Sequence, residues 1–313
     1  MDMKEHFNID YKKGVILVML TAVVSGFSIF INSIGIKEFD SSVFTFLKNA
    51  AVAAMLFAVI LGFSMFSELR ALKKKQWLQL IIIGLVGGSI PFLLYFKGLQ
   101  MTTGATSGFL HKTLFIYASV FAVIFLREKI TKGLAIGAAM LLLGNYLLIK
   151  PDFGFSAGHI LVAIAVIFWA AENTFAKQVL KNVSGTVVAF GRMFFGSLFI
   201  FAFLASTGKI SFALYLTHVH YLWIGLTSIF LLLYNTLFYN GLRHMKVSTA
   251  ACILSLGQPI TTALSFIFKS KAVGLGQGFG MLLIVAGVIS VLWLSSIISL
   301  VRQAARVRQY GRH

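Results

Sequence analysis

Four ionisable side chains interrupt long apolar runs in this sequence: Lys48, Lys112, Glu172 and Arg192. An ionised group at the middle of a membrane helix costs about 2.5–3.5 kcal/mol on insertion scales, so it persists where it meets a partner, a watery cavity or a substrate. Glu172 is the one acidic residue deep in such a run. Glu172 and Lys112 lie a few residues to opposite sides of their helix midpoints, so their long side chains are expected to meet at the centre. That pair is either a coupling or binding site, opened by a proton or a substrate, or a permanent packing salt bridge, or else Lys112 snorkels to the interface. His111, beside Lys112, offers an imidazole for proton relay near neutral pH or a hydrogen bond to a neighbouring helix. Trp169 shares a helical face with Glu172 and Asn173 flanks it. An aromatic ring beside a carboxylate suits an amine or an amino-acid ammonium, through cation–π attraction and ion pairing. Tyr234 and Asn235 open a second polar and aromatic stripe that continues to Phe238 and Tyr239, the last read as part of an interfacial aromatic belt. Gln258 is placed near the same central site. Lys48 and Arg192 stand nearer the ends of their runs, where they either snorkel or sit at cavity mouths attracting carboxylates. Gly87, Gly88 and Pro91 in "GGSIP", and Gly257 and Pro259 in "GQP", interrupt apolar runs as candidate hinges or static kinks.

These residues need helices in an apolar solvent to position them. The chain has 313 residues, 58% hydrophobic and 12% charged, with 31 Phe, and its mean hydropathy is +0.91. That composition excludes a soluble domain and describes an all-α integral membrane protein. Ten runs are long enough to cross a hydrocarbon core about 30 Å thick. Their cores are 14–36, 43–65, 77–96, 104–126, 133–149, 158–179, 186–205, 221–241, 247–268 and 276–300. The single Cys252 rules out a disulfide within the chain. A net charge of +18 would suggest nucleic acid in a soluble protein. Here the basic residues sit between apolar runs, so they are read as topology signals and contacts to membrane lipids, with no nucleic-acid partner.

Outside the spans, 18 Lys and Arg fall on the side of the termini and 6 on the other. The positive-inside rule then places both termini in the cytoplasm of a plasma-membrane protein, which requires an even number of spans. Sliding the sequence against itself by 143 positions lays Gly98 on Gly241, Thr106 on Thr249, Phe125 on Phe268, Gly137 on Gly280 and Gly144 on Gly287. Phe46 and Lys48 fall on Phe190 and Arg192 at an offset of 144. The third to fifth spans thus repeat as the eighth to tenth. An odd separation of five spans turns the second copy over, giving a 5+5 inverted repeat with halves at 1–150 and 151–313, the second ending in a short basic tail.

The basic residue in "FTFLKN" and "VAFGRM", the helix running into "FLREKITKG" and the glycine-spaced helix after it resemble the EamA family of the drug/metabolite transporter superfamily. The resemblance implies a ten-span inverted-repeat carrier with a central cavity, many such proteins exporting amino acids or other small metabolites. Two positions depart from that pattern: Glu128 of "FLREK" faces Lys271 in the second copy, and Pro259 faces Ile116.

Other chemistry finds no support. "GATSGFLHKT" lacks the glycine that precedes lysine in a phosphate-binding loop, and the sequence holds no H-E-x-x-H, cysteine cluster or nucleophile elbow. The expectation is therefore a secondary transporter, without enzymatic activity, metal or cofactor, exporting amino acids or related small metabolites by alternating access, with protons as a candidate coupling ion. A lipid translocase and a non-transporting scaffold are the alternatives. The G-x-x-x-G spacings at Gly104 and Gly108, Gly133 and Gly137, and Gly276 and Gly280 are read as helix packing.

Overall fold

A computed structural model describes residues 3–35, 40–102, 104–151, 156–214, 216–269 and 272–294, and among these the chain is helical without strands. The fourteen α-helices are α1 (Met3–Gly35), α2 (Ser41–Gly62), α3 (Phe66–Arg70), α4 (Lys74–Gly88), α5 (Ile90–Gln100), α6 (Gly104–Lys112), α7 (Leu114–Leu126), α8 (Lys132–Ile149), α9 (Ala157–Val179), α10 (Gly185–Ser206), α11 (His218–His244), α12 (Val247–Leu254), α13 (Gly257–Lys269) and α14 (Leu275–Ile289). They form ten stretches long and apolar enough to span a membrane, because α4 with α5, α6 with α7 and α12 with α13 each make one interrupted span. This is a multi-pass membrane protein. The expected spans agree with the observed ones to within a few residues except at the first, whose helix begins at Met3, before Lys12 and Lys13, and at the expected end of the tenth, which lies outside the described residues. A helical hydrogen-bond ladder continues through polar residues, so hydropathy marks the membrane and not the helix end. The basic C-terminal tail and Lys271 lie outside the described residues.

Polar residues start the helices where the chain leaves the apolar phase. Asp40 accepts from the amides of Ser42 and Val43 at 2.9 and 3.2 Å, Thr131 from Leu134 at 3.1 Å, Ser156 from Gly158 at 3.1 Å and Ser184 from Val187 at 3.4 Å. Each such cap satisfies amide donors that no helical partner can reach, for about 1 kcal/mol.

Packing follows the duplication. The first span lies on the eighth as the sixth lies on the third, and the first lies on the ninth as the sixth lies on the fourth. The second packs on the seventh, the fourth on the ninth and the fifth on the tenth, pairs that the exchange of halves leaves unchanged. The glycines that align in the self-comparison are the points of contact. A Cβ on Gly98 would stand 2.6 Å from the Gly158 carbonyl oxygen, and one on Gly241, its counterpart, 3.2 Å from that of Gly14. Between α8 and α14, a Cβ on Gly144 would stand 2.8 Å from the Gly280 oxygen and one on Gly137 2.6 Å from the Gly287 oxygen. These contacts repeat every seven residues, two helical turns, and not every four. Of the G-x-x-x-G glycines, Gly137 and Gly280 pack against a neighbouring helix, whereas Gly108 and Gly276 meet nothing within 4 Å where a side chain would be.

Candidate functional site

The third span breaks where its sequence says it must. Pro91 has no amide hydrogen for the carbonyl four residues back, which is that of Gly87, and its ring crowds that oxygen. Ser89 at φ −132° and ψ −70° separates α4 from α5. The freed oxygens are taken by side chains from three other helices. Trp169 Nε1 and Arg192 Nη2 each donate to the Gly87 oxygen at 3.1 Å, and Asn49 Nδ2 donates to that of Gly88 at 3.0 Å. Gly87 is also needed for space, since a Cβ there would lie 2.3 Å from Glu172 Cγ.

Glu172, 1% exposed, is turned toward this break and toward α11. Its Oε1 accepts a 2.6 Å hydrogen bond from the Tyr239 hydroxyl. Arg192 Nη1 donates to Asn235 Oδ1 at 2.8 Å, while Asn235 Nδ2 is anchored on the Leu231 carbonyl at 2.8 Å. Arg192 and Glu172 interact through their charges without an ion pair inside 4 Å, and Arg192 Nε is buried with no hydrogen-bond partner among the described residues. One carboxylate and one guanidinium thus share a buried polar cluster whose remaining donors come from neutral groups. A partly satisfied network of this kind has unused capacity for a proton or a polar ligand.

An aromatic cluster adjoins it. The Trp169 ring lies 5.3 Å from Phe92, 5.5 Å from Tyr95 and 5.3 Å from His111, centroid to centroid, and His111 stands edge-on to it. The Arg192 guanidinium is 5.8 Å from the Phe92 ring. Trp169, Glu172, Asn235 and His111, read from the sequence as members of one site, are brought together here with Arg192, read as a cavity-mouth residue, and Gly87, read as a hinge.

The expected Glu172–Lys112 pair is not made among the described residues. Lys112, 8% exposed, ends α6 at the break in the fourth span, whereas Glu172 is committed to Tyr239. Arg192 and Lys48 are also buried, at 7% and 6% exposure, instead of opening at cavity mouths. Arg192 reaches inward to the broken helix, and Lys48 Nζ lies over the Phe44 ring at 4.8 Å from its centroid. Tyr234 stacks on Phe238 and lies within electrostatic reach of Arg192. No hydrogen bond among the described residues ties Asn173, Gln258 or Lys112 to the cluster. At the second interruption, the Thr261 hydroxyl donates to the Gly26 and Gly257 carbonyls at 2.9 Å each and Gly257 packs against α1, and no hydrogen bond among the described residues ties Gly257 or Pro259 to the Glu172 cluster.

Sequence reasoning missed Tyr239 and Asn49. Tyr239 follows Asn235 by four residues, which puts both on one helical face, and that spacing is the signal that could have moved it from the membrane interface to the core. Asn49 adjoins Lys48 in an apolar run and carried no further mark.

At the face that bears most of the basic residues, polar groups tie the two halves. Glu68 accepts from the Ser184 amide at 2.7 Å, and Glu128 from the amides of Val247 and Ser248 at 2.8 and 3.3 Å and from the Ser248 hydroxyl at 2.5 Å. Within the second half, Lys177 donates to carbonyls of the last turn of α11, those of Leu242 and Arg243, at 2.8 and 2.9 Å. Carboxylates at helix starts and an ammonium at a helix end complement the backbone dipoles.

Ten spans, an exchange-symmetric packing and a polar core between the halves describe a membrane protein built from two related halves. The model of the EamA-like transporter family matches residues 12–150 and again 156–293, and the chain belongs to that family. An uncharacterized transporter of Archaeoglobus fulgidus is 24% identical over 135 residues, which cover 43% of this chain and 49% of that relative, about half its length. A crystal structure of another protein superposes with a TM-score of 0.76 over 90% of this chain and 98% of the other at 17% identity, a likeness of fold.

Proposed function

We propose that this protein is a secondary transporter that exports amino acids or related small metabolites across the plasma membrane, by alternating access of two inverted five-helix halves with both termini in the cytoplasm. The observation that carries the reading is the Glu172–Tyr239–Arg192–Asn235 cluster, built on the broken third span and walled by Phe92, Tyr95, His111 and Trp169. Glu172 and Trp169 suit an ammonium, while Arg192 with its unpaired Nε, and Lys112 at the neighbouring break, suit a carboxylate. Protonation of Glu172 would weaken its hold on an ammonium, which couples substrate release to a proton. Arg192, Trp169 and Asn49 hold the broken helix, so a ligand that draws Arg192 off Gly87 loosens that helix.

The test is thermal stabilisation of the purified protein by a panel of amino acids, amines, nucleosides and organic acids, repeated for Glu172→Gln. Selective stabilisation by amino acids that the variant loses is expected. A flat profile with saturating ligand and folded protein would contradict the reading and bring lipid translocation forward.

A further inference from the structure

A cavity of about 350 Å³ opens at the basic face between the ends of α7 and α9, lined by Phe125, Leu126, Arg127, Glu128, Lys177, Gln178 and Lys181. It is separate from the core cluster, and nothing in the transport reading uses it. We infer that it binds the phosphate headgroup of an anionic phospholipid.

The charge balance of the cavity comes first. Three of its residues are cations and one is an acid, and the acid is already spent. Glu128 receives three hydrogen bonds from the start of α12, two of them from backbone amides at a helix N-terminus. Lys177 keeps its place on the α11 carbonyls, which fixes one wall. Arg127 and Lys181 are left exposed, and no hydrogen bond or ion pair among the described residues engages either side chain. Arg127 is held in the left-handed region at φ 55°, a conformation that a non-glycine residue adopts at a cost, and it ends α7 there.

The apolar side of the cavity selects between sources of phosphate. Ile124 and Phe125 on the last turn of α7 are 61% and 63% exposed, and Ile130 just beyond is 63% exposed. These side chains stand beside the basic residues where the apolar span ends. A ligand with an anionic head and acyl chains covers both surfaces, and basic pockets between helices at a membrane face are suited to such headgroups. A free phosphate would leave the apolar edge uncovered.

The experiment measures thermal stabilisation of the full chain in neutral detergent on adding phosphatidylglycerol, phosphatidylcholine or inorganic phosphate. It is run on the native protein, on the double variant Arg127→Gln, Lys181→Gln, and on Lys74→Gln, Lys75→Gln, which removes two exposed charges at the start of α4. Phosphatidylglycerol is expected to raise Tm more than phosphatidylcholine, with most of that difference lost in the Arg127 and Lys181 variant and kept in the Lys74 and Lys75 variant. Equal losses in both variants would mean diffuse surface charge and overturn the site. Equal stabilisation by inorganic phosphate would overturn the lipid assignment, and no difference between the two lipids would overturn both. If the first double variant fails to fold, the single substitution Lys181→Gln gives the same comparison.

Discussion

Arg192 is the residue on which the core most depends, because it holds a carbonyl of one half and an amide side chain of the other half's eighth span. Removing it leaves the Asn235 oxygen without its donor and Glu172 buried without its nearest opposite charge. An unsatisfied buried acceptor costs about 1–3 kcal/mol, so Arg192→Ala is expected to lower Tm by several degrees in detergent, while Arg192→Lys recovers part of the loss. No change in Tm on truncation would contradict the network. A second residue-scale prediction concerns Asp40 at the opposite face. Partial burial pushes its carboxyl up, but the Lys209 hydrogen bond at 2.8 Å, the amides of Val43 and Ser42 and the Lys209 charge together hold it below the usual carboxylate range. A carboxyl depressed in the folded state stabilises above its unfolded value of about 4 and loses that contribution as pH falls through the folded value. The pair is partly exposed, so its contribution is about 0.2–1 kcal/mol. Asp40→Asn is expected to melt slightly below the native protein at pH 7, with the gap closing toward pH 3. A gap that widens in acid would contradict the assignment.

At the scale of elements, the spans were legible because length and hydropathy act locally, one segment at a time. The break at Pro91 was legible for the same reason, since proline frees a carbonyl whatever surrounds it. What takes that carbonyl depends on helix crossings, so Trp169 and Arg192 at Gly87 could be nominated but not paired. The exchange of Lys112 for Tyr239 as the partner of Glu172 has this origin, because it turns on which side of α9 meets α11. The glycines carried more information than their spacing alone suggested. Gly98, Gly137, Gly144 and their counterparts Gly241, Gly280 and Gly287 mark helix crossings, whereas of the G-x-x-x-G glycines Gly137 and Gly280 meet a neighbouring helix and Gly108 and Gly276 face open space. Overpacking a close contact costs about 1–3 kcal/mol. Gly144→Val should therefore lower Tm clearly and Gly276→Val leave it nearly unchanged, and equal effects would contradict the α8–α14 contact.

Across the whole molecule, the two halves share a scaffold and divide the chemistry unequally. The repeat places Ser25 and Ser28 where the second half has Trp169 and Glu172, Phe92 opposite Asn235 and Phe96 opposite Tyr239. The third span is broken at "GGSIP", while its counterpart α11 runs unbroken from His218 to His244. The fourth and ninth spans, in contrast, break at equivalent points, with Thr113 bonded back to Leu110 and Leu256 back to Ile253. In the proposed transport cycle, symmetric packing supplies two arrangements of similar energy, and the asymmetric core decides what the exchange between them carries. In the present arrangement Glu68, Glu128 and Lys177 hold the basic face together. The central claim is that the polar core around Glu172 is reached alternately from the two sides of the membrane. The direct measurement is labelling of Asn173→Cys in a Cys252→Ala background, in liposomes of known orientation, with a membrane-impermeant maleimide applied to one side at a time. Labelling from each side, with the balance shifted by the amino acid that stabilises the protein or by a pH gradient, is the result the account predicts. Labelling from one side alone under every condition, or from neither, would contradict it.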